Sequence, residues 1–240
     1  MYSIAAWYKV LELLDRYQGY NEWSHRHKYP TMFLMGYHLV HRCDCSSHFK
    51  VDQPHGSRQF PFVIMTKTKW SKNVRSMQQC PDQVILASSR WKNCLILRLA
   101  VYLDGWPQQH PHSKFMFTDN NDDKLGPRNI NLQFRNRLQT VAWNHPEFVA
   151  LANEEALDKR GIGTHSNCKW AATCVSRLGC SDVMIQYHGR WVEDQTKHVI
   201  NKFYISADHQ YEDAYVASCL CDQGAIKYEL RVDATMAGKR

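Results

Sequence analysis

A chain of 240 residues can bury a sizeable core, as one large domain or two small ones. Its 44% hydrophobic and 22% charged residues fit a globular protein, and its longest apolar runs, such as Cys94–Leu97 and Pro61–Met65, are far too short to span a bilayer. The net charge of +7, with thirteen His in reserve, favours polyanions such as nucleic acid, although a basic solvated surface gives the same count.

In chain order, 4–16 places Ile4, Trp7, Val10, Leu11 and Leu14 on one helical face, and Gly19 and Asn21 end it. A second apolar helix is predicted over 31–41, then a polar loop at Asp44–Ser47. Phe60–Thr66 and Gln83–Ala87 read as strands, joined by a basic hairpin-like connection. A strongly apolar helix follows over 91–103, broken by Gly105, Pro107 and Pro111. Lys114–Phe117 reads as a short strand and Asp119–Lys124 as an acidic loop. Segment 128–143 is predicted helical, with Ile130, Leu132, Phe134, Leu138 and Val141 partly inward. Another helix is predicted over 146–158, started by Pro146. Ser166 is placed to cap a helix that Gly179 stops. Helices near 181–187, 196–205 and 211–221 complete a mainly α fold with a small antiparallel β-sheet, an α+β class. No internal repeat and no low-complexity stretch interrupts it.

The N-terminus lacks the basic-then-apolar layout of a signal peptide, so an intracellular protein is expected. Nine Cys is an odd number, and free buried thiols are expected rather than disulfides. The close pairs Cys43-x-Cys45, Cys219-x-Cys221 and His25-x-His27 lack the spacing of structural zinc sites, so no metal is expected.

The stretch 161–228 carries the most specific motifs: GIGTHSNCKWAAT, then HGRW, then INKFYISADHQYEDAYVASCLCDQGAIKY. These resemble the C-terminal part of tyrosine recombinases, of the type found in eukaryotic mobile elements. There the pattern runs G-T-H-S-x-R-K-G-A-A-T, then G-R-W, then a helix with tyrosine. HLVHRCDC at 38–45, KWSKNV at 69–74, PDQVIL at 81–86 and CLILRLAVYLD at 94–104 match the same group in order. The resemblance covers 30–230. It implies a catalytic core there, a remnant or linker helix over 1–29, a tail over 231–240, and a missing or vestigial DNA-clamping domain.

The implied reaction is attack of a tyrosine hydroxyl on a DNA phosphodiester, giving a covalent phosphotyrosyl link. Negative charge gathers on the non-bridging oxygens, where the planar forks of arginines donate paired bonds. An acid must protonate the leaving 5′ oxygen. The resemblance gives Tyr204 as nucleophile, with Tyr211, Tyr215 and Tyr228 as competitors. It gives Arg42 as the first catalytic arginine, with Asp44 to support its turn, and Lys72, or alternatively Lys69, as the acid or a phosphate contact. His165 matches the histidine that assists proton transfer or holds phosphate, with capping of a turn as the bland alternative. Trp191 matches the His/Trp position, with a core tryptophan as the alternative. Lys169 and Arg190 are candidate DNA contacts, Arg190 equally a structural residue.

The departure is Cys168, which stands where the pattern has its second arginine. A neutral thiol lacks the paired donors, and loss of one such contact costs roughly a hundred- to thousandfold in rate. Trp170 stands where the pattern has glycine, and a bulky ring there is expected to crowd the helix. Cys174 replaces a common aromatic. Two functions stay open: a strand transferase impaired at Cys168, or a catalytically inactive descendant that binds DNA or protein. The resemblance implies duplex DNA as partner, no cofactor, no membrane, a nuclear location that follows from that substrate, and a homo-oligomer on DNA, a tetramer at synapsis.

Overall fold

The heptad-like spacing at the N-terminus does what an amphipathic stripe must. Trp7, Val10, Leu11 and Leu14 are all buried in the main core. The computed structural model describes residues 7, 10–12, 14–15, 23–57, 63–67, 82–119, 123–144, 164–191 and 209–221. The helices expected over 146–158 and 196–205 lie outside the described residues.

Helix α1 spans Trp23–His38 and carries Pro30 inside it. It begins eight residues before the predicted start at 31. The carbonyl deprived of a partner by Pro30 belongs to Arg26, whose side chain is exposed, so water can reach that turn. The expected boundary at 29/30 falls inside α1. Helix α1 packs along α3 (Leu95–Gln109) and α5 (Thr164–Arg177). Its Leu34 and Met35 are fully buried with Leu95 and Tyr102 of α3. The expected loop at Asp44–Ser47 is instead a short helix, α2 (Cys43–Ser47).

A three-stranded antiparallel sheet runs β1 (His55–Gly56), β2 (Val63–Thr66), β3 (Gln83–Leu86) in spatial order. Val63 faces Leu86 and Met65 faces Val84. Because side chains alternate along a strand, these four share one face. That face forms a second cluster with Ala214, Ala217 and Cys221 of helix α7 (His209–Leu220) and the residue after it. Ile85 points the other way, into the main core. The fold is therefore mainly helical with a small antiparallel sheet.

Several local expectations change. Trp91–Asn93 form a 3₁₀ turn, and α3 continues through Gly105 and Pro107 to Gln109. Burial explains it: Tyr102 and Trp106 donate their O–H and N–H to the Met116 carbonyl at 2.8 and 3.1 Å, which anchors the last turns. Lys114–Phe117 does not join the sheet; Phe115 makes one isolated bridge with Lys50. Helix α4 spans Pro127–Asn144 with Ile130 and Phe134 buried, but Leu132 is 55% exposed, against expectation. Ser166 lies within the first turn of α5 rather than capping it, since the helix already begins at Thr164. Trp170 is buried in the main core without crowding α5 out of helix. No helix among the described residues is long and apolar enough to cross a membrane.

Candidate nucleic-acid interface

Arg42 is aimed by the end of α1. There the Val40 N–H donates to the Tyr37 carbonyl and the His41 N–H to the Gly36 carbonyl, at 3.2 and 3.0 Å. This is the paired closure that usually places glycine at its left-handed position. Here the residue is Val40, with φ of 51°. A β-branched residue there costs about 1–2 kcal/mol, so the turn must be held by its surroundings. The chain leaves it at Arg42, the residue flanking α2, whose carbonyl accepts the N–H groups of Cys45 and Ser46. The Arg42 side chain is half-buried and makes no cap bond of its own. Asp44 sits in the first turn of α2, where its charge suits the helix end.

Helix α5 supplies the other face of the site. Residues four apart lie one above the other, so His165 and Lys169 share an exposed side. Cys168 is rotated inward and 1% exposed. Its thiol donates to the Val40 carbonyl at 3.2 Å, under the turn that aims Arg42. The His165 imidazole is held below its usual value by partial burial first, then by the positive charges of Lys169 and Arg42. Lys169 and Arg42 therefore both lie within electrostatic reach of His165, near the N-terminal end of α5, where the helix dipole also favours an anion. The Asn131 side-chain oxygen of α4 accepts from the Thr164 N–H at 3.3 Å, which fixes where α5 starts.

Behind this surface lies a buried polar network that sequence reasoning missed. His188, in helix α6 (Asp182–Gly189), sets Nδ1 2.9 Å from Asp213 Oδ1 and Nε2 2.7 Å from the His38 carbonyl. Both ring nitrogens therefore face oxygen acceptors. The second Asp213 oxygen accepts the Val84 N–H. Gln83 donates to the carbonyls of His188 and Leu39, and its own oxygen accepts from His41 Nε2 at 3.0 Å. Burial pushes the His41 imidazole down to about 3, against the Gln83 bond that favours its charged form. Neighbouring Arg190 and His188 push it the same way as burial. The network ties β3, α6 and α7 to the turn that carries Arg42.

Arg190 caps α6 in the left-handed conformation, with φ of 56°. Its guanidinium is buried, donates to the Tyr187 carbonyl and stands 3.9 Å from Asp213 Oδ1. Trp191 is half-buried against the main core, its indole nitrogen shielded from solvent and its ring against Gly189. A Cβ at Gly189 would stand 3.0 Å from that ring. Lys69, Lys72 and Tyr204 lie outside the described residues, as does the competitor Tyr228. Tyr215 is half-buried on α7, packed against both clusters. The structure thus brings together Arg42, His165, Cys168 and Lys169, and turns Arg190 and Trp191 inward.

A cavity of about 30 Å³ between α1, α4 and α5 is lined by Tyr29, Phe33, His41, Phe134 and Asn167 among others. It has room for about one water, so it is not a substrate pocket. Among the described residues no three metal-ligating side chains converge. No family model matches the chain, and neither a curated protein nor a solved structure is significantly similar to it. The likeness to tyrosine recombinases therefore rests on the motifs alone.

Proposed function

We propose that this chain binds the sugar–phosphate backbone of duplex DNA as a tyrosine-recombinase-type core, with strand transfer impaired at Cys168. The observation that carries the proposal is the convergence of Arg42, His165 and Lys169 at the start of α5. Arg42 offers a planar fork to non-bridging oxygens, and Lys169 a flexible point charge. His165, with its imidazole below the usual value, can donate one hydrogen bond and accept another near neutral pH. Cys168 supports impairment rather than full activity, because its thiol is uncharged and bonded to a backbone carbonyl. On this reading the working form is an assembly on DNA, a tetramer at synapsis, in the nucleus.

The test is duplex binding by fluorescence anisotropy across a salt series. Each phosphate contact contributes about 0.9 to the slope of log affinity against log salt. Arg42→Ala and Lys169→Ala should each weaken binding for all sequences and flatten that slope by about one. Unchanged slopes would remove these residues from any DNA interface. A second reading, slow strand transfer through Tyr204, is favoured by the imidazole that His165 keeps beside Arg42. It is tested by covalent trapping on a nicked duplex, comparing the chain as it stands, Cys168→Arg and Tyr204→Phe. An adduct in the unmodified chain that Tyr204→Phe abolishes establishes transfer; one that appears only with Cys168→Arg establishes disablement at that position.

A further inference from the structure

Cys180 and Cys219 take no part in the site above, yet their sulfurs lie only 3.9 Å apart. Both side chains are buried. Two other described thiols point at backbone instead: Cys168 donates to the Val40 carbonyl and Cys221 to the Leu86 carbonyl. Cys180 lies in the turn between α5 and α6, one residue after Gly179, whose φ is +91°. Its N–H donates to the Val175 carbonyl and closes α5. Cys219 lies in the last turn of α7.

We propose that Cys180 and Cys219 are a disulfide-forming site, oxidised by a small-molecule disulfide such as oxidised glutathione, that fastens α7 to the end of α5. A disulfide needs a sulfur–sulfur distance of about 2.05 Å, so the pair must close by roughly 1.9 Å. The turn can supply that movement, since Leu178, Gly179 and Ser181 around Cys180 are all exposed. The same exposure gives a small oxidant its approach. The crosslink would tie α7, which carries Asp213, to the helix that carries His165 and Lys169.

The two thiols share one hydrogen bond, and the exchange has two steps. The Cys180 thiol donates its hydrogen to the Cys219 sulfur. That bond pulls the Cys219 thiol down against the effect of burial, and pushes Cys180 up. One of them, as the thiolate, attacks one sulfur of the external disulfide, forms a mixed disulfide and releases one small thiolate. The other then loses its proton and attacks the protein sulfur of that mixed disulfide, displacing the second small thiolate. Two protein thiols are oxidised to one S–S bond, and the external disulfide is reduced to two thiols that carry away both protons.

The full chain, fully reduced, is incubated with oxidised glutathione, quenched with N-ethylmaleimide and mapped by mass spectrometry without reduction. The expected product is a linked peptide pair containing Cys180 and Cys219, lighter by two hydrogens and separated again by dithiothreitol. Cys180→Ser should hold glutathione on Cys219 and Cys219→Ser should hold it on Cys180, because neither variant can complete the second exchange. Circular dichroism checks that both variants keep their helix content; the unmodified chain needs no such control. Recovery of Cys180 and Cys219 as maleimide adducts, or linkage of either to another cysteine, would overturn the site.

Discussion

His41 makes the stability of this fold sensitive to acid, with a sign and size that follow from its burial. Above pH 6.5 its imidazole is neutral in both folded and unfolded chains, so it contributes no pH dependence. Between 6.5 and about 3 the unfolded chain takes up a proton that the buried ring refuses. The unfolded state then binds more protons, so stability falls as pH falls, by about 1.4 kcal/mol per pH unit. By pH 5 the loss is about 2 kcal/mol, and by pH 3 it reaches up to about 5 kcal/mol, a large part of a typical domain's stability. Urea unfolding at pH 7, 6, 5 and 4 measures it, for the unmodified chain and for His41→Gln. The amide of the glutamine can still donate to Gln83 but cannot take up the proton. His27 and His165, also held below their usual values by burial, act in both proteins and cancel in the comparison. The stability difference between the two proteins should shift in favour of the variant as pH falls. Parallel pH profiles would refute the argument that His41 is held neutral.

Asp213→Asn should cost about 3 kcal/mol at pH 7, because it removes the carboxylate that His188 and Arg190 both face, while the Val84 N–H keeps its acceptor. The urea midpoint at constant m-value reads it, and a loss within a few tenths of a kcal/mol would show that the network is not a charged one. Ser181 caps α6, accepting the Met184 N–H at 3.3 Å, so Ser181→Ala should cost about 1 kcal/mol in the same assay. No loss would mean that water replaces the cap at this exposed turn.

What the sequence made legible was where apolar spacing spoke for itself. Trp7, Val10, Leu11 and Leu14, the alternating faces of β2 and β3, and the stop at Gly179 are local signals with local outcomes. The misreadings came where tertiary contacts override local rules. Pro107 reads as a breaker but sits inside a helix, as does Pro30, because packing on both sides outweighs one lost bond. Val40 stands where glycine is the usual signal, so the turn after α1 could not be read at all. The buried network was invisible for a related reason. His41, Gln83, His188 and Asp213 are scattered over the chain, and each reads as a surface polar residue until the fold brings them together. His188 stands in the HGRW motif, but that motif pointed only to Arg190 and Trp191. Of the recombinase-like residues, His165 lies within electrostatic reach of Arg42 and Lys169, and Cys168 bonds under the turn before Arg42, whereas Arg190 shows why a basic residue in a motif need not be a contact. Its left-handed backbone turns it inward to Asp213.

Cys168 shows how closely the possible chemistry and the stability of this fold are joined. Its thiol is the hydrogen-bond donor to the carbonyl of Val40, the one described β-branched residue at positive φ. The sulfur therefore supports the strained turn that sets the direction of Arg42. An arginine at this position would bring five donors, so the Val40 carbonyl need not lose its partner. Its longer side chain must pass between that turn and α5 and deliver its charge to the surface shared by Arg42 and Lys169. Leaving that charge buried would cost several kcal/mol. Restored DNA chemistry with unchanged stability would mean that the passage exists and that cysteine merely occupies it. Restored chemistry at a stability cost would mean that the fold has settled around the smaller side chain. Lost stability with no gain in DNA affinity would mean that the guanidinium stays inside, and that position 168 now serves the turn rather than the phosphate.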